Sequence, residues 1–284
     1  GEPLLAKDLI INMQQRINQI AEVKRCSIVT NGTLLYPETY EDMRRVGIQR
    51  FQVTLDGNEA IHDLRRPAAT GRGSFASIID NLRQIQSGHE TVSIRVNLDK
   101  SNISSFIDLM RLFSDDKNLR DYVRSIYPAR VTAWPALSCK WKEACYSEEE
   151  FSSEFLSLID RVYEEFGINL AHIPSSKNMF CSATAENNVI VGPSGEMYKC
   201  WTSAGNPKAI VGYVGEAIVP NKEELMFWRS WNPISDENCR GCIHLPTCLG
   251  GCPAVVKEGM VDNHAQCLSQ KYSLEELLLR VHRA

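Results

Sequence analysis

The chain has 284 residues, 43% of them hydrophobic and 23% charged, with a formal net charge of -4 at pH 7. That length and apolar share support one large domain or two ordinary ones with a real core, and argue against disorder. The near balance of charge gives no bulk electrostatic hold on nucleic acid or a membrane surface, and the longest apolar runs fall short of a bilayer span. No secretory leader is visible, so a cytoplasmic setting is expected, although the chain starts without Met and a targeting segment could lie upstream.

In chain order, residues 4 to 22 place apolar positions at helical spacing. CSIVTNG (26 to 32) reads as a short strand ending in an Asn-Gly turn. PETYEDMRRVG (37 to 47) reads as a helix with Pro37 near its start and Gly47 at its end. RFQVTLDG (50 to 57) is a strand, SFASIIDNLRQIQSG (74 to 88) a helix, and TVSIRVNLD (91 to 99) an alternating strand rich in β-branched residues. SNISSFIDLMRLFSDD (101 to 116) is a helix, and RSIYPARV (124 to 131) a strand weakened by Pro128. This alternation predicts βα units around a parallel sheet, with polar residues gathered at the strand ends TNG, LDG and NLDK. A connector (134 to 146) and a long helix (148 to 166) follow. From 181 onward short strands and cysteine-rich loops take over, and a last helix covers about 273 to 283. The expected division is 1–133, then 134–180, then 181–284. No internal repeat is apparent.

Ten cysteines are many for such a chain, and seven fall between Cys181 and Cys267. Cys181 and Cys200 come first, the latter separated from Gly195 by four residues; then Cys239, Cys242, Cys248 and Cys252 follow in CRGCIHLPTCLGGC, and Cys267 closes the set. A disulfide scaffold belongs to short secreted chains with little core, so metal ligation is the leading reading. One structural zinc takes four ligands. Seven cysteines are three too many for one zinc and one too few for two. With His244 and His264 nearby, spacing alone leaves both zinc and iron–sulfur open.

The pattern Cys181 … Gly195-x4-Cys200 … Cys239-x2-Cys242-x5-Cys248-x3-Cys252 … Cys267 resembles the SPASM domain of radical SAM enzymes. GEP at 1 to 3, TNGTLL at 30 to 35, VTLDG at 53 to 57, IHDLRR at 61 to 66, GSF at 73 to 75 and RVNLDK at 95 to 100 resemble, in order and spacing, landmarks of the radical SAM barrel. The resemblance covers nearly the whole chain. It implies an α/β fold: a partial (β/α) barrel lacking its first strands, followed by a small cysteine-rich α+β domain. It implies two auxiliary 4Fe–4S clusters, the outer on Cys239, Cys242, Cys248 and Cys267, the inner on Cys181, Cys200 and Cys252. Where sulfatase maturases carry a fourth inner ligand, this chain has Asn187; Cys139 or Cys145 could complete the inner set, or an iron could stay open. Glu2 resembles the residue that binds the amino group of S-adenosylmethionine, a charge-assisted pairing. Thr54 is expected near the carboxylate or ribose, and Asp56, Arg95 and Asn97 are further expected contacts.

The Cys-x3-Cys-x2-Cys triplet that holds the third, SAM-cleaving 4Fe–4S cluster is absent from this sequence. The expectation is a piece of a longer enzyme that does not cleave S-adenosylmethionine by itself, with an unpaired sheet edge at 26 to 31. For the parent, the resemblance implies a maturase acting on a peptide or protein, forming a crosslink or an oxidised side chain, with a reducing donor such as flavodoxin or ferredoxin. Within the family, formylglycine formation is disfavoured, because Trp201 stands where sulfatase maturases have an Asp after the cysteine. Tyr198 and Trp201 could line a substrate path, but core packing is the main expectation for both. From a different class, the alternative is a zinc- or cluster-stapled scaffold that holds a peptide without chemistry.

Overall fold

The structure is a computed structural model and describes residues 1–85, 88, 91–132, 142–216, 221–260 and 267–283. It falls into two compact units with main segments Gly1–Ala133 and Ala171–Ala284; Ser157–Leu170 joins the first and Glu148–Leu156 the second.

In the first unit the helices are α1 (Lys7–Ile20), α2 (Pro37–Arg45), α3 (Glu59–Arg65), α4 (Phe75–Gln84) and α5 (Ser105–Asp115). The strands are β1 (Ser27–Thr30), β2 (Arg50–Leu55), β3 (Val92–Leu98) and β4 (Ile126–Arg130). They form one parallel sheet in the order β1-β2-β3-β4. The expected α/β fold with a parallel sheet is therefore present. Strand order that follows chain order has a consequence. Crossovers between parallel strands are right-handed, so consecutive crossovers in one direction put their helices on the same face. That face is the core. Ile28, Phe51, Val53, Leu55, Ile94, Val96 and Leu98 are buried there, with Met43, Ile78, Leu82, Phe106, Met110 and Phe113. Each such side chain contributes roughly 1.5–3 kcal/mol through burial. The other face carries Gln52, Thr54, Ser93, Arg95, Asn97 and Tyr127, because side chains alternate along a strand. Pro128 is tolerated because β4 is an edge of this sheet, as β1 is.

The long helix α6 (Glu148–Phe166) covers the span predicted for it. The second unit has a small antiparallel sheet of β5 (Ile190–Val191), β6 (Glu196–Tyr198) and β7 (Gly212–Tyr213). Short helices α7 (Lys222–Arg229), α8 (Glu237–Arg240), α9 (Leu245–Cys248), α10 (Pro253–Lys257) and α11 (Leu274–Val281) complete it. Among the described residues no helix is long and apolar enough to cross a membrane.

Candidate functional site

At the C-terminal end of the parallel sheet, Glu2 is fastened to β1. Its Oε1 accepts from Thr30 Oγ1 (2.7 Å) and Leu4 N (3.0 Å), and its Oε2 accepts from Asn31 N (2.7 Å). A carboxylate has about four lone-pair positions, so one acceptor position on Oε2 remains. Thr30 Oγ1 also accepts from Gly32 N (3.0 Å), which closes the TNG turn. Gly32 has φ +84°, and a Cβ there would meet Val53 at 2.9 Å and Ile78 at 3.0 Å, so both conformation and space call for glycine.

Thr54 and Arg95 are register partners on β2 and β3, and Asn97 follows two residues later on the same face. Arg95 Nε donates to Asn97 Oδ1 (2.9 Å), and Asn97 Nδ2 donates to Asp56 Oδ1 (3.1 Å). Arg66 Nε donates to Asp56 Oδ2 (2.8 Å). Four residues from three landmarks thus form one relay of hydrogen bonds at the strand ends. Both Asp56 oxygens are engaged, which makes it a brace between Asn97 and Arg66.

The IHDLRR and GSF landmarks lock together behind this relay. His62 is fully buried; its Nδ1 accepts from Asp56 N (3.3 Å), and its Nε2 lies 3.0 Å from Ser74 Oγ. Ser74 Oγ donates to Arg66 O (2.7 Å). These bonds require the neutral ring with its proton on Nε2. Burial drives the His62 pKa down to about 4, against the pull of Asp56 and with a further push from Arg66. Asp63 Oδ1 accepts from Ser74 N and Phe75 N, both at 2.8 Å, and so caps α4. A Cβ on Gly73 would stand 1.9 Å from Asp63 Oδ2. Arg65 Nη2 meets both oxygens of fully buried Asp99 at 2.8 and 2.7 Å. Burial pushes Asp99 up, but the bonds from Arg65 and Ser101 prevail and its pKa lies below the usual carboxylate value.

In the second unit the cysteines separate into two groups. Cys239, Cys242, Cys248 and Cys267 line one cavity of about 250 Å³, with Asp236, His244 and Lys271 also in its wall. The Cys239 thiol is raised by burial and then by Asp236, Cys248, Cys267 and Cys242. Asp236 Oδ1 caps α8, accepting from Asn238 N (2.8 Å) and Cys239 N (3.3 Å). Lys271 Nζ donates to Cys267 Sγ (3.2 Å). Cys252 belongs elsewhere: its thiol is raised first by burial, with Cys200 and Cys181 adding. Cys181, Cys200 and Cys252 pack with Ala183, Phe227, Trp228 and Ala254. Behind them Trp228 Nε1 donates to Glu224 (2.8 Å), which pairs with Lys257 (2.8 Å).

What parts Cys248 from Cys252 is the backbone. Leu249, Gly250 and Gly251 have φ of +52°, +82° and +73°, a left-handed run that breaks the helical path after α9. Leu249 is the only non-glycine among the described residues with positive φ, at a cost of about 1–2 kcal/mol. Cys26 and the seven cysteines from Cys181 to Cys267 are free thiols. Among the described residues no three Cys, His, Asp or Glu side chains gather as ligands of a single metal ion. A zinc holds its sulfurs at about 2.3 Å; the ligands of an iron–sulfur cluster sit on separate irons and stand farther apart. The structure offers a cavity walled by four thiols and a thiol triad on an apolar floor, all-sulfur donor sets of the kind such clusters use. Cys139 and His264 lie outside the described residues. Asn187 is exposed.

Two expectations need correction or addition. Trp201 is 68% exposed rather than packed, since β6 ends at Tyr198 and a 3-10 turn starts at Trp201; Tyr198 is buried as expected. His62, Ser74, Asp99, Lys199 and Lys271 carry contacts that motif spacing did not single out. IHDLRR and GSF marked the neighbourhood of the first two; nothing marked the lysines.

Residues 1–113 match the sequence model of the radical SAM superfamily. The serine-type anaerobic sulfatase-maturating enzyme of Klebsiella aerogenes is 24% identical over 280 residues, covering 89% of this chain. The chain spans 65% of that relative's own length. The solved structure "Native anSMEcpe with bound AdoMet" covers 98% of this chain and 82% of that one, with a TM-score of 0.67 at 16% identity. "Native anSMEcpe with bound AdoMet and Cp18Cys peptide" covers 100% and 85%, with a TM-score of 0.66 at 16% identity. At that identity the structural likeness establishes a shared fold.

Proposed function

We propose that the chain, whose residues 1–113 match the radical SAM superfamily model, is part of a radical SAM/SPASM maturase acting on a peptide or protein. The observation that carries this reading is the division of seven cysteines into a quartet and a triad in the same chain as that domain. The quartet would hold an outer 4Fe–4S cluster and the triad an inner one. Bound with a third cluster, S-adenosylmethionine would supply radical chemistry for taking hydrogen from substrate; the 284 residues hold no Cys-x3-Cys-x2-Cys for that third cluster.

In this reading Glu2 receives the ammonium of the methionine moiety on the open side of Oε2. Thr54 and Arg95 lie ready for its carboxylate or ribose, with Asn97 fixing Arg95. Asp56 orients Asn97 and Arg66. The likeness to an enzyme whose solved structure contains a peptide supports a peptide substrate. Trp201 puts an exposed indole, not a carboxylate, after Cys200, which points away from formylglycine formation and toward a crosslink or another side-chain oxidation. A reducing protein such as flavodoxin or ferredoxin would supply electrons, and a cytoplasmic setting would keep the thiols reduced.

Anaerobic reconstitution with iron and sulfide tests this. Two clusters predict about eight irons per chain, with a charge-transfer band at about 400 nm. One or two zincs and no such band would leave only a zinc-stapled scaffold.

A further inference from the structure

Lys199 lies between Tyr198 and Cys200, and all three are buried. Only 2% of the lysine is exposed. Its ammonium donates to three main-chain carbonyls: Ala185 O at 2.6 Å, Asn188 O at 2.7 Å and Glu186 O at 3.4 Å. Asn188 Nδ2 returns a bond to Lys199 O at 3.2 Å. A fully buried lysine is rare, because removing an ammonium from water costs heavily unless its donors are met. Burial lowers its pKa, with Arg229 adding and Glu186 opposing. The three carbonyls are the compensation that keeps a charge in this place.

The position of the grip matters. The 3-10 turn Ser182–Thr184 follows Cys181 directly, and the gripped carbonyls come next. Lys199 itself directly precedes Cys200. One side chain therefore ties the segment after Cys181 to the residue before Cys200, two of the three thiols that meet over Ala183, Trp228 and Ala254. Asn187, inside the gripped loop, is exposed and is not a thiol.

We propose that Lys199 is the positioning residue of the cysteine triad. Its ammonium sets the spacing of Cys181 and Cys200 before any cofactor binds. It also anchors the Ala185–Asn188 loop through main-chain carbonyls, so the loop needs no metal bond to stay in place. This rests on the reading of the triad as a cluster site.

The test is Lys199→Met in the full chain, which keeps the apolar stem and removes the donors. After anaerobic reconstitution, about half of the iron is lost. The paramagnetic signal assigned to the triad disappears, while that of the quartet stays. In the apo chain, amide exchange across residues 185–188 accelerates by about tenfold or more. Asn188→Ala, which leaves no charge stranded, weakens the triad's signal partially and spares the quartet. Wild-type iron content and exchange in Lys199→Met would overturn the proposal. So would parallel loss of both signals, which would mark Lys199 as a general folding residue. If the wild-type chain takes up no iron, the cluster reading fails by itself, and the exchange rates of the apo chain still decide the clamp.

Discussion

His62 gives the first unit an acid-sensitive joint. Its pKa falls from 6.5 to about 4 on folding, so the native chain holds fewer protons than the unfolded chain between those values. Stability from the neutral ring is fully present above pH 6.5 and is lost as pH falls toward 4. The full effect is ~3 kcal/mol, from 1.36 kcal/mol per pKa unit over 2.5 units, and ~2 kcal/mol of it is gone by pH 5. The structural reason is that an imidazolium has no lone pair with which to accept from Asp56 N–H. Protonation therefore breaks a bond to the residue that braces Asn97 and Arg66. The assay is hydrogen exchange of peptides spanning β2 and α3 at pH 7.5 and pH 5, corrected for intrinsic rates, in the wild type and in His62→Asn. Asparagine keeps an acceptor near the Nδ1 position but does not titrate. Wild-type protection should fall about thirtyfold more than that of the variant over this interval. Equal pH dependence in the two proteins would refute the reasoning.

Other expectations follow from the same geometry. Cys248→Ser and Cys252→Ser should abolish different paramagnetic signals, from the quartet and the triad; identical losses would sink the division. Lys271→Met removes the N–H···S bond to Cys267 and should lower the midpoint potential of the cluster proposed for the quartet alone, read by potentiometric EPR. Arg65→Met leaves Asp99 buried without its cation and should cost ~3–5 kcal/mol in chemical denaturation. Gly73→Ala should displace the Asp63 carboxylate from the start of α4 and cost ~1–3 kcal/mol by the same measure.

The regular elements were legible because burial on one face imprints a period. β3 alternates buried and half-buried residues along its length, and α6 occupies the span expected for a long helix. Helix α3 escaped notice: seven residues capped by Asn58 are too short to show a period. Motif order placed Thr54, Asp56, Arg95 and Asn97 at strand ends, but not the relay that joins the last three to Arg66, since parallel register is set by crossovers of many residues. Asp56 illustrates the gap. The turn signal around it was plain, yet that both oxygens serve Arg66 and Asn97 depends on partners ten and forty-one residues away. Lys199 left no trace at all, because a lysine just past a short strand ordinarily faces water.

The left-handed run Leu249–Gly250–Gly251 has a mechanical side. It is a three-residue hinge pin between Cys248, the third thiol of the quartet, and Cys252 of the triad. If each group holds the cluster proposed for it, two centres that share so short a tether cannot be assembled as strangers. Ordering either group fixes one end of the pin and narrows the positions open to the other. Filling should therefore be cooperative, with half-loaded chains scarce at substoichiometric iron. Lengthening the pin by one or two glycines should uncouple the pair while leaving every ligand in the sequence.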